Sequence, residues 1–259
     1  MKKFFYVLET CFLGHRYHGW QKQTNATKTV QQQIDRKLKY LLGENNFKTL
    51  PASRTDKMVS ALKHYFQIYA ENPIDIKVLE SLNEYLPDDI AVTNIFEVDS
   101  NFQIIGSAEY KEYHYYFANT KAKYPFAAPY MTFIQEELDI ERMKKACSLF
   151  LGEHNFRAYC YRPNENKEFI RTIDECGIFE NDLLEANFFP PQSFYFKVKS
   201  KGFFRHQIRL MMGTLFKLGL GEISEEDIKT SLKTASDSIG YVAPPSGLIL
   251  VDTQFSGLT

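Results

Sequence analysis

An α+β fold made of two related halves, each a split βαβ unit with helices on one face of a mostly antiparallel sheet, is predicted by three features of the sequence. From Phe4 to Val98 the hydropathy pattern runs strand, helix, strand, strand, helix, strand, the order of a split βαβ unit. After Asp99-Ser100-Asn101-Phe102 a similar alternation of strands and helices starts again. The composition, 44% hydrophobic and 24% charged, is that of a chain with a packed core and neither disordered nor fibrous. At 259 residues the chain is long enough for one large domain or two ordinary ones. The boundary is expected between residues 1–104 and 105–259.

Each element has its own warrant. FFYVLETCFL from Phe4 is a buried strand, followed by a polar loop from Gly14 to Thr29. Val30, Ile34, Leu38, Leu41 and Leu42 recur at helical spacing, and Gly43 ends that helix. ALKHYFQIYA alternates, with Leu62, His64, Phe66 and Ile68 on one face and Lys63, Tyr65, Gln67 and Tyr69 on the other. A helix from Ile76 to Tyr85 stops at Pro87, and DIAVTNIFEV is the next strand. In the second half, SAEYKEYHYYFAN forms a long strand, and a helix spans Asp139 to Leu151 ahead of Gly152. Strands follow over Phe169–Phe179 and Phe194–Lys201, then helices over Phe204–Leu218 and Glu225–Thr234, and last the strand GLILVDTQF. No residue-level repeat accompanies this order, so the two halves match in pattern alone.

Charge and motif content exclude several classes. A net charge of −1 argues against coating nucleic acid through bulk positive charge, although a local basic groove remains open. Cys11, Cys147, Cys160 and Cys176 form no C-x-x-C pair, and the six histidines show no metal-ligand spacing, so neither a disulfide framework nor a zinc site is expected. There is no Walker loop, no G-x-S-x-G elbow and no dinucleotide fingerprint. The first residues are too short and broken an apolar run for a leader, and no stretch is long enough to cross a membrane. A cytoplasmic protein with reduced thiols is the expectation, and the Asn25-Ala26-Thr27 sequon is expected to be idle.

Three places could carry chemistry. Arg54-Thr55-Asp56 stands just ahead of a strand; alone, it reads as a turn that Asp56 caps. In KEYHYYF, Tyr113 and Tyr115 share one face while His114 and Tyr116 share the other; such aromatics pack well on strands, and one facing a charged loop would also stack a nucleobase. FYFKVKSKG puts Phe194, Phe196 and Val198 on a core face, and Tyr195, Lys197, Lys199 and Lys201 on a basic one. It leads into FFRHQIRLMMGTLFKLG, whose helical stripe is Ile208, Met211, Met212 and Leu215. Arg209 borders that stripe, where an arginine needs a carboxylate, and the basic approach to the helix suits a phosphate.

These signals fall in an order that resembles the tRNA pseudouridine synthase A family. The stretches that carry the resemblance are YHGWQKQ from Tyr17, VQQQI from Val30, SRTD from Ser53, LPDDIAV from Leu86, SAEYKEYHY from Ser107, LGEHNF from Leu151, FFRHQIRLMMGTL from Phe203 and APPSGLILVDTQF from Ala243. The resemblance implies a pseudouridine synthase fold with a central RNA-binding cleft. It also implies a homodimer, tRNA as partner and isomerisation of uridine to pseudouridine in the anticodon stem-loop, with no cofactor and no metal.

By position, Asp56 matches the family's catalytic aspartate, Tyr113 its active-site tyrosine and Arg209 the arginine that pairs with the aspartate. Arg54 matches the arginine two residues earlier, placed to fill the gap left by a flipped base or to grip phosphates. Thr55, Lys57, Tyr17, Gln21, Lys197, Lys199, Arg205 and His206 are the expected substrate contacts.

A buried carboxylate tends to neutralise unless a cation accompanies it, which is the service Arg209 would give Asp56. Asp56 would either attack the sugar or take a proton from it, and Tyr113 would stack on the uracil and relay a proton.

The chain departs from the family's G-R-T-D-A-G-V-H-A at Ser53 and at Lys57, Met58 and Ser60, and it has Ile105 where an arginine helps extrude the base. A paralogue with a different target uridine is one consequence. The competing classes are a tRNA-binding or RNA-folding module with weak or no catalysis, and a glycosidase-like hydrolase. The latter would need a second acid about 5 to 9 Å from Asp56, and no motif nominates one.

Overall fold

The computed structural model describes residues 3–24, 28–164, 168–233 and 238–258; the Asn25-Ala26-Thr27 sequon and the Thr234 end of the last helix lie outside them. The strands are β1 (Phe4–Phe12), β2 (Phe47–Pro51), β3 (Ser60–Ala70), β4 (Ile90–Val98), β5 (Ala108–Asn119), β6 (Thr132–Ile134), β7 (Gly152–Asn155), β8 (Ile170–Ile173), β9 (Glu175–Glu180), β10 (Phe194–Ser200) and β11 (Leu248–Phe255). The helices are α1 (Val30–Leu42), α2 (Ile76–Glu80), α3 (Ile140–Ala146), α4 (Gln207–Gly219) and α5 (Glu225–Lys233). The architecture is α+β with mostly antiparallel strands, as the sequence predicts. The chain divides into two compact units, Met1–Glu109 with Leu250–Thr259, and Tyr110–Ile249.

In the first unit the strand order is β4-β1-β3-β11, with β2 added to β3. β1 pairs antiparallel with β3 (Leu8 opposite Phe66) and with β4 (Leu8 opposite Ile95). Tyr6, Val7 and Leu8 are all buried, so β1 is covered on both faces. One face carries Trp20, whose indole stacks on His64 at 3.8 Å and touches Phe12 and Phe66. The opposite face holds Val7, Tyr65, Ile104, Ala108 and Phe255. α1 starts at Thr29, whose side chain accepts from the Gln32 amide, buries Val30, Ile34 and Leu38, and ends at Gly43.

The second face of β3, which carries Lys63, Tyr65, Gln67 and Tyr69, is partly covered. Gln67 is fully buried: its amide nitrogen donates to the Phe102 carbonyl and its oxygen accepts from Ile104 N, which fastens the 102–104 segment over the sheet. A glutamine alternating with aromatics reads as solvent-facing in sequence. Here it supplies the hydrogen bonds that a loop crossing a sheet requires.

In the second unit the order is β5-β10-β9, antiparallel throughout, with β6 parallel to the end of β5 and β7-β8 as a separate hairpin pair. The single strand expected over Phe169–Phe179 is two, broken at Asp174, whose amide donates to Lys199 O. β2 is the strand that the expected order places between α1 and β3, whereas β6 and β7 were not expected; each has four residues or fewer, too short to show a period.

α4 begins at Gln207 instead of Phe204 because His206 adopts a left-handed conformation (φ 60°) that cannot belong to the helix. The Ile208, Met211, Met212, Leu215 stripe is buried as expected, but so are Leu210, Gly213, Thr214, Phe216 and Leu218, which makes α4 an enclosed helix and not an amphipathic one. Phe216 packs edge-on against Phe117 and Tyr115 of β5. On another side the backbone of Tyr241 crosses α4 so closely that a Cβ on Gly213 would lie 1.9 Å from the Tyr241 carbonyl oxygen.

That crossing yields a stability prediction. Gly213→Ala should force the backbones apart and lower the unfolding free energy by about 1–3 kcal/mol, as overpacked cores do. In urea titration this appears as a lower midpoint at unchanged slope; an unchanged midpoint would show that the Tyr241 segment yields without cost.

Candidate active site

The residues singled out from the sequence divide between the units. In the first, Asp56 lies half-buried in the loop between β2 and β3. That loop is held by the segment Gly14–Trp20, and the contacts are backbone to backbone. Trp20 N donates to Thr55 O at 3.2 Å, Met58 N donates to Tyr17 O at 3.0 Å, and Val59 N closes a turn on Asp56 O at 3.2 Å. Gly14 N donates to Ser60 Oγ at 2.9 Å. A Cβ on Gly14 would meet Val59 O at 2.0 Å, and one on Gly19 would meet Thr55 O at 2.5 Å, so the two segments approach at distances only glycine permits.

The rest of the triplet is fixed from behind. His64, fully buried under Trp20, has its Nε2 at 2.9 Å from Ser53 O and its Nδ1 at 3.4 Å from Thr10 Oγ1. Among the described residues Ser53 Oγ and Thr55 Oγ1 are buried without a hydrogen-bond partner, while Arg54 and Lys57 are exposed. Thr55, expected to contact substrate, therefore sits inside the loop with its backbone oxygen tied to Trp20.

Met58 has φ 66°, a left-handed conformation that costs a non-glycine residue about 1–2 kcal/mol. The family pattern has a glycine at this position. Ser60, which stands where the family pattern has a histidine, accepts from Gly14 N.

Tyr17 is enclosed, 1% exposed, with its hydroxyl donated to Asp89 Oδ1 at 2.6 Å. Asp89 also receives Arg16 Nε and Nη2, both at 2.7 Å. Burial opposes the charge of Asp89, and the hydrogen bonds from Arg16 and Tyr17 outweigh it, holding the carboxyl below its usual range. Burial, and then the bond to Asp89, raise the Tyr17 hydroxyl. Both side chains thus brace the loop. Gln21 donates to Gln31 of α1 at 2.8 Å, and Ile105 is 61% exposed.

In the second unit, Tyr113 lies on β5 opposite Val198, with its ring edge-on to Phe203 at 5.4 Å. Strand alternation puts it on the same face as Tyr115 and Phe117, the face that α4 covers. Arg209, in the first turn of α4, makes a reciprocal pair of bonds with Ala243: its Nε donates to Ala243 O at 2.7 Å and its own carbonyl accepts from Ala243 N at 3.1 Å. The guanidinium plane is fixed by this pair. Lys111, also on the Tyr113 face, is pushed down to about 8 by burial, an ammonium that titrates close to neutral pH.

Lys197 and Lys199 lie on the other face of that sheet, opposite His114 and Glu112. Lys197 pairs with Glu175 at 2.8 Å and Glu112 at 3.4 Å, and Lys199 pairs with Glu175 at 3.1 Å. The bonds to Lys197 and Lys199 lower Glu175, and the bond to Glu175 raises Lys197. The basic face read from FYFKVKSKG is therefore neutralised in place. The sequence could not reveal this, because the acids come from neighbouring strands.

Arg205 and His206 stand in the turn before α4, where both lie against Tyr161, at 5.0 Å and 4.6 Å. Arg162 lies over the same ring at 5.2 Å. Tyr161 and Arg162 carry no motif, and sequence reasoning passed over them. Among the described residues no group of three or more His, Cys, Asp or Glu could hold a metal ion, and no helix is long and apolar enough to cross a membrane.

Comparison with known proteins adds to this geometry. A family profile described as tRNA pseudouridine synthase matches residues 146–256. The tRNA pseudouridine synthase A of Thermoanaerobacter sp. (strain X514) is 34% identical over 92% of this chain and 94% of its own length. Those of Acetivibrio thermocellus and Bacillus sp. (strain KSM-64) are each 33% identical, over 93% and 96% of this chain and 96% and 99% of theirs.

Two substitutions in the loop contrast the two ways a backbone can be constrained. Gly19→Ala, at φ 88° and 2.5 Å from Thr55 O, should displace the Asp56 loop and lower kcat at least ~10-fold while the circular dichroism spectrum is kept. Met58→Gly should leave the loop where it is, with activity within about twofold, because it relieves a left-handed side chain. Equal losses in both variants would show that the turn itself does not position Asp56.

Proposed function

The chain belongs to the tRNA pseudouridine synthase A family, and from that premise we propose that it isomerises uridine to pseudouridine in tRNA with Asp56 as the acting carboxylate. In this reaction the bond between N1 of uracil and C1′ of the ribose breaks, the base turns, and C5 bonds to C1′. The C5 proton is lost and N1 gains one, so no electrons are exchanged with a second reactant. A carboxylate at the sugar, a surface for the base and a proton carrier are the requirements.

The observation that carries the reading is the loop around Asp56. Its backbone is tied at Thr55 to Trp20 and at Met58 to Tyr17, and the Ser60 hydroxyl accepts from Gly14 N, so the carboxylate is presented from a fixed frame. Such preorganisation is what a catalytic group requires and a surface turn does not. Tyr113 is the proposed platform for the uracil and Arg209 the proposed cation for Asp56. Arg54, exposed two residues before it, is proposed to enter the space of the extruded nucleotide.

Homodimeric assembly, a cytoplasmic location and action on the anticodon stem-loop extend the same proposal by family resemblance. The exposed Ile105, where the family pattern has an arginine for extruding the base, supports a target uridine different from the usual one.

Pseudouridine mapping of tRNA incubated with the protein and with Asp56→Asn tests the proposal. New pseudouridines that the variant fails to make, at a rate lower by roughly 10³-fold or more, are the expected result. An active Asp56→Asn would remove Asp56 from the chemistry, and no product on any tRNA would overturn the activity.

A further inference from the structure

Between α1 and β2, within the first unit, lies a concavity of about 790 Å³ whose lining, Gln21 and Arg54 apart, the family's site residues do not account for. Its walls carry five cations, Lys22, Arg36, Lys39, Lys48 and Arg54, and one carboxylate, Asp35. In a chain of net charge −1 this is a marked local excess. All five cations are exposed. Among the described residues none of the five forms an ion pair, whereas Arg16, Lys63, Lys197 and Lys199 each have a carboxylate within 4 Å.

The single carboxylate is already committed. Asp35 Oδ1 accepts from Thr49 Oγ1 at 2.6 Å, and Thr49 in turn accepts from Gln31 Nε2 at 3.0 Å. Gln31 Oε1 accepts from both Gln21 Nε2 and Lys22 N. This relay joins α1 to β2 and sets the floor of the groove. On the same helix Gln32 also lines the groove, and its Oε1 is buried with no partner among the described residues.

We propose that this groove binds a run of phosphates on the same RNA whose uridine Asp56 acts upon. The inference rests on the tRNA reading above and adds a second contact surface to it. Arg54 belongs to both places, lining the groove and standing two residues from Asp56, so a strand leaving the reacting nucleotide can continue along α1. An RNA backbone fits the lining better than a protein partner does. Lysine is depleted at the cores of protein interfaces and aromatics are enriched there, yet this groove has three lysines, two arginines and a single aromatic, Phe47. Cations without acids, interspersed with amides, are what phosphate and ribose contacts use.

The test is the triple variant Arg36→Gln, Lys39→Gln, Lys48→Gln, all exposed positions outside the catalytic loop, beside a control with Lys77→Gln, Lys144→Gln and Lys229→Gln. Filter binding of tRNA over a range of salt is measured for both in the catalytically silent Asp56→Asn background, so that the result does not depend on turnover. The groove variant should bind at least ~10-fold more weakly. Its plot of log K against log salt should flatten by about 2 to 3, because each phosphate that is no longer neutralised takes roughly 0.7–0.9 from the slope. In the active protein the same changes should raise KM and leave kcat within about twofold. If the groove variant matches the control in affinity and slope, the proposal is overturned even if the protein makes pseudouridine. If it binds more weakly in a protein that makes none, the groove stands and the activity falls.

Discussion

The close approach of Gly14–Trp20 to the Asp56 loop is the constraint on which the site depends. A carboxylate on a loop is only as well placed as the loop's backbone, and a free loop has no partner for its N–H and C=O groups except water. Here the partners are Thr55 O with Trp20 N and Met58 N with Tyr17 O. The segment that supplies them is itself braced by Asp89, which receives Arg16 and Tyr17, and by the stack of Trp20 on His64. His64 returns to Ser53, the residue before Arg54, so both ends of the triplet answer to one buried cluster.

Such a frame carries strain that an unconstrained turn would relax. Met58 is left-handed, and two buried hydroxyls, Ser53 Oγ and Thr55 Oγ1, have no partner among the described residues. Unmade hydrogen bonds of that kind cost roughly 1–3 kcal/mol each. A loop that carries such features is being held for its shape. Ser60 adds a bond to Gly14 N, and Lys57 faces solvent.

The long elements were legible because their periods are long. β1, α1, β3 and α4 each run long enough for hydropathy to declare the element, and the stripe of Ile208, Met211, Met212 and Leu215 is buried as its spacing requires. Strands of three or four residues, such as β6 and β7, have no period to read. The start of α4 was misplaced because a left-handed histidine leaves no trace in hydropathy. In the site, the motif places Asp56, while the partners that hold it, Gly19 and Trp20, lie far away in the chain and make backbone contacts that no side-chain pattern encodes. Tyr17 shows the converse. It belongs to a matched stretch yet turns inward to Asp89, so membership of a motif did not tell a contact surface from a brace.

Charge was the least legible property, for a physical reason. A cation's effect depends on whether a carboxylate lies within a few ångströms, since a paired charge has little field left to attract a polyanion. FYFKVKSKG is the most basic-looking strand in the sequence, and two of its three lysines, Lys197 and Lys199, are spent on Glu112 and Glu175, which neighbouring strands bring beside them. Arg36, Lys39 and Lys48 look unremarkable, spread over a helix and a strand among amides and acids. Folding gathers them on one groove and turns its single acid, Asp35, toward Thr49. A near-neutral chain can thus present a surface for a polyanion, provided that its acids are placed where they pair with other cations.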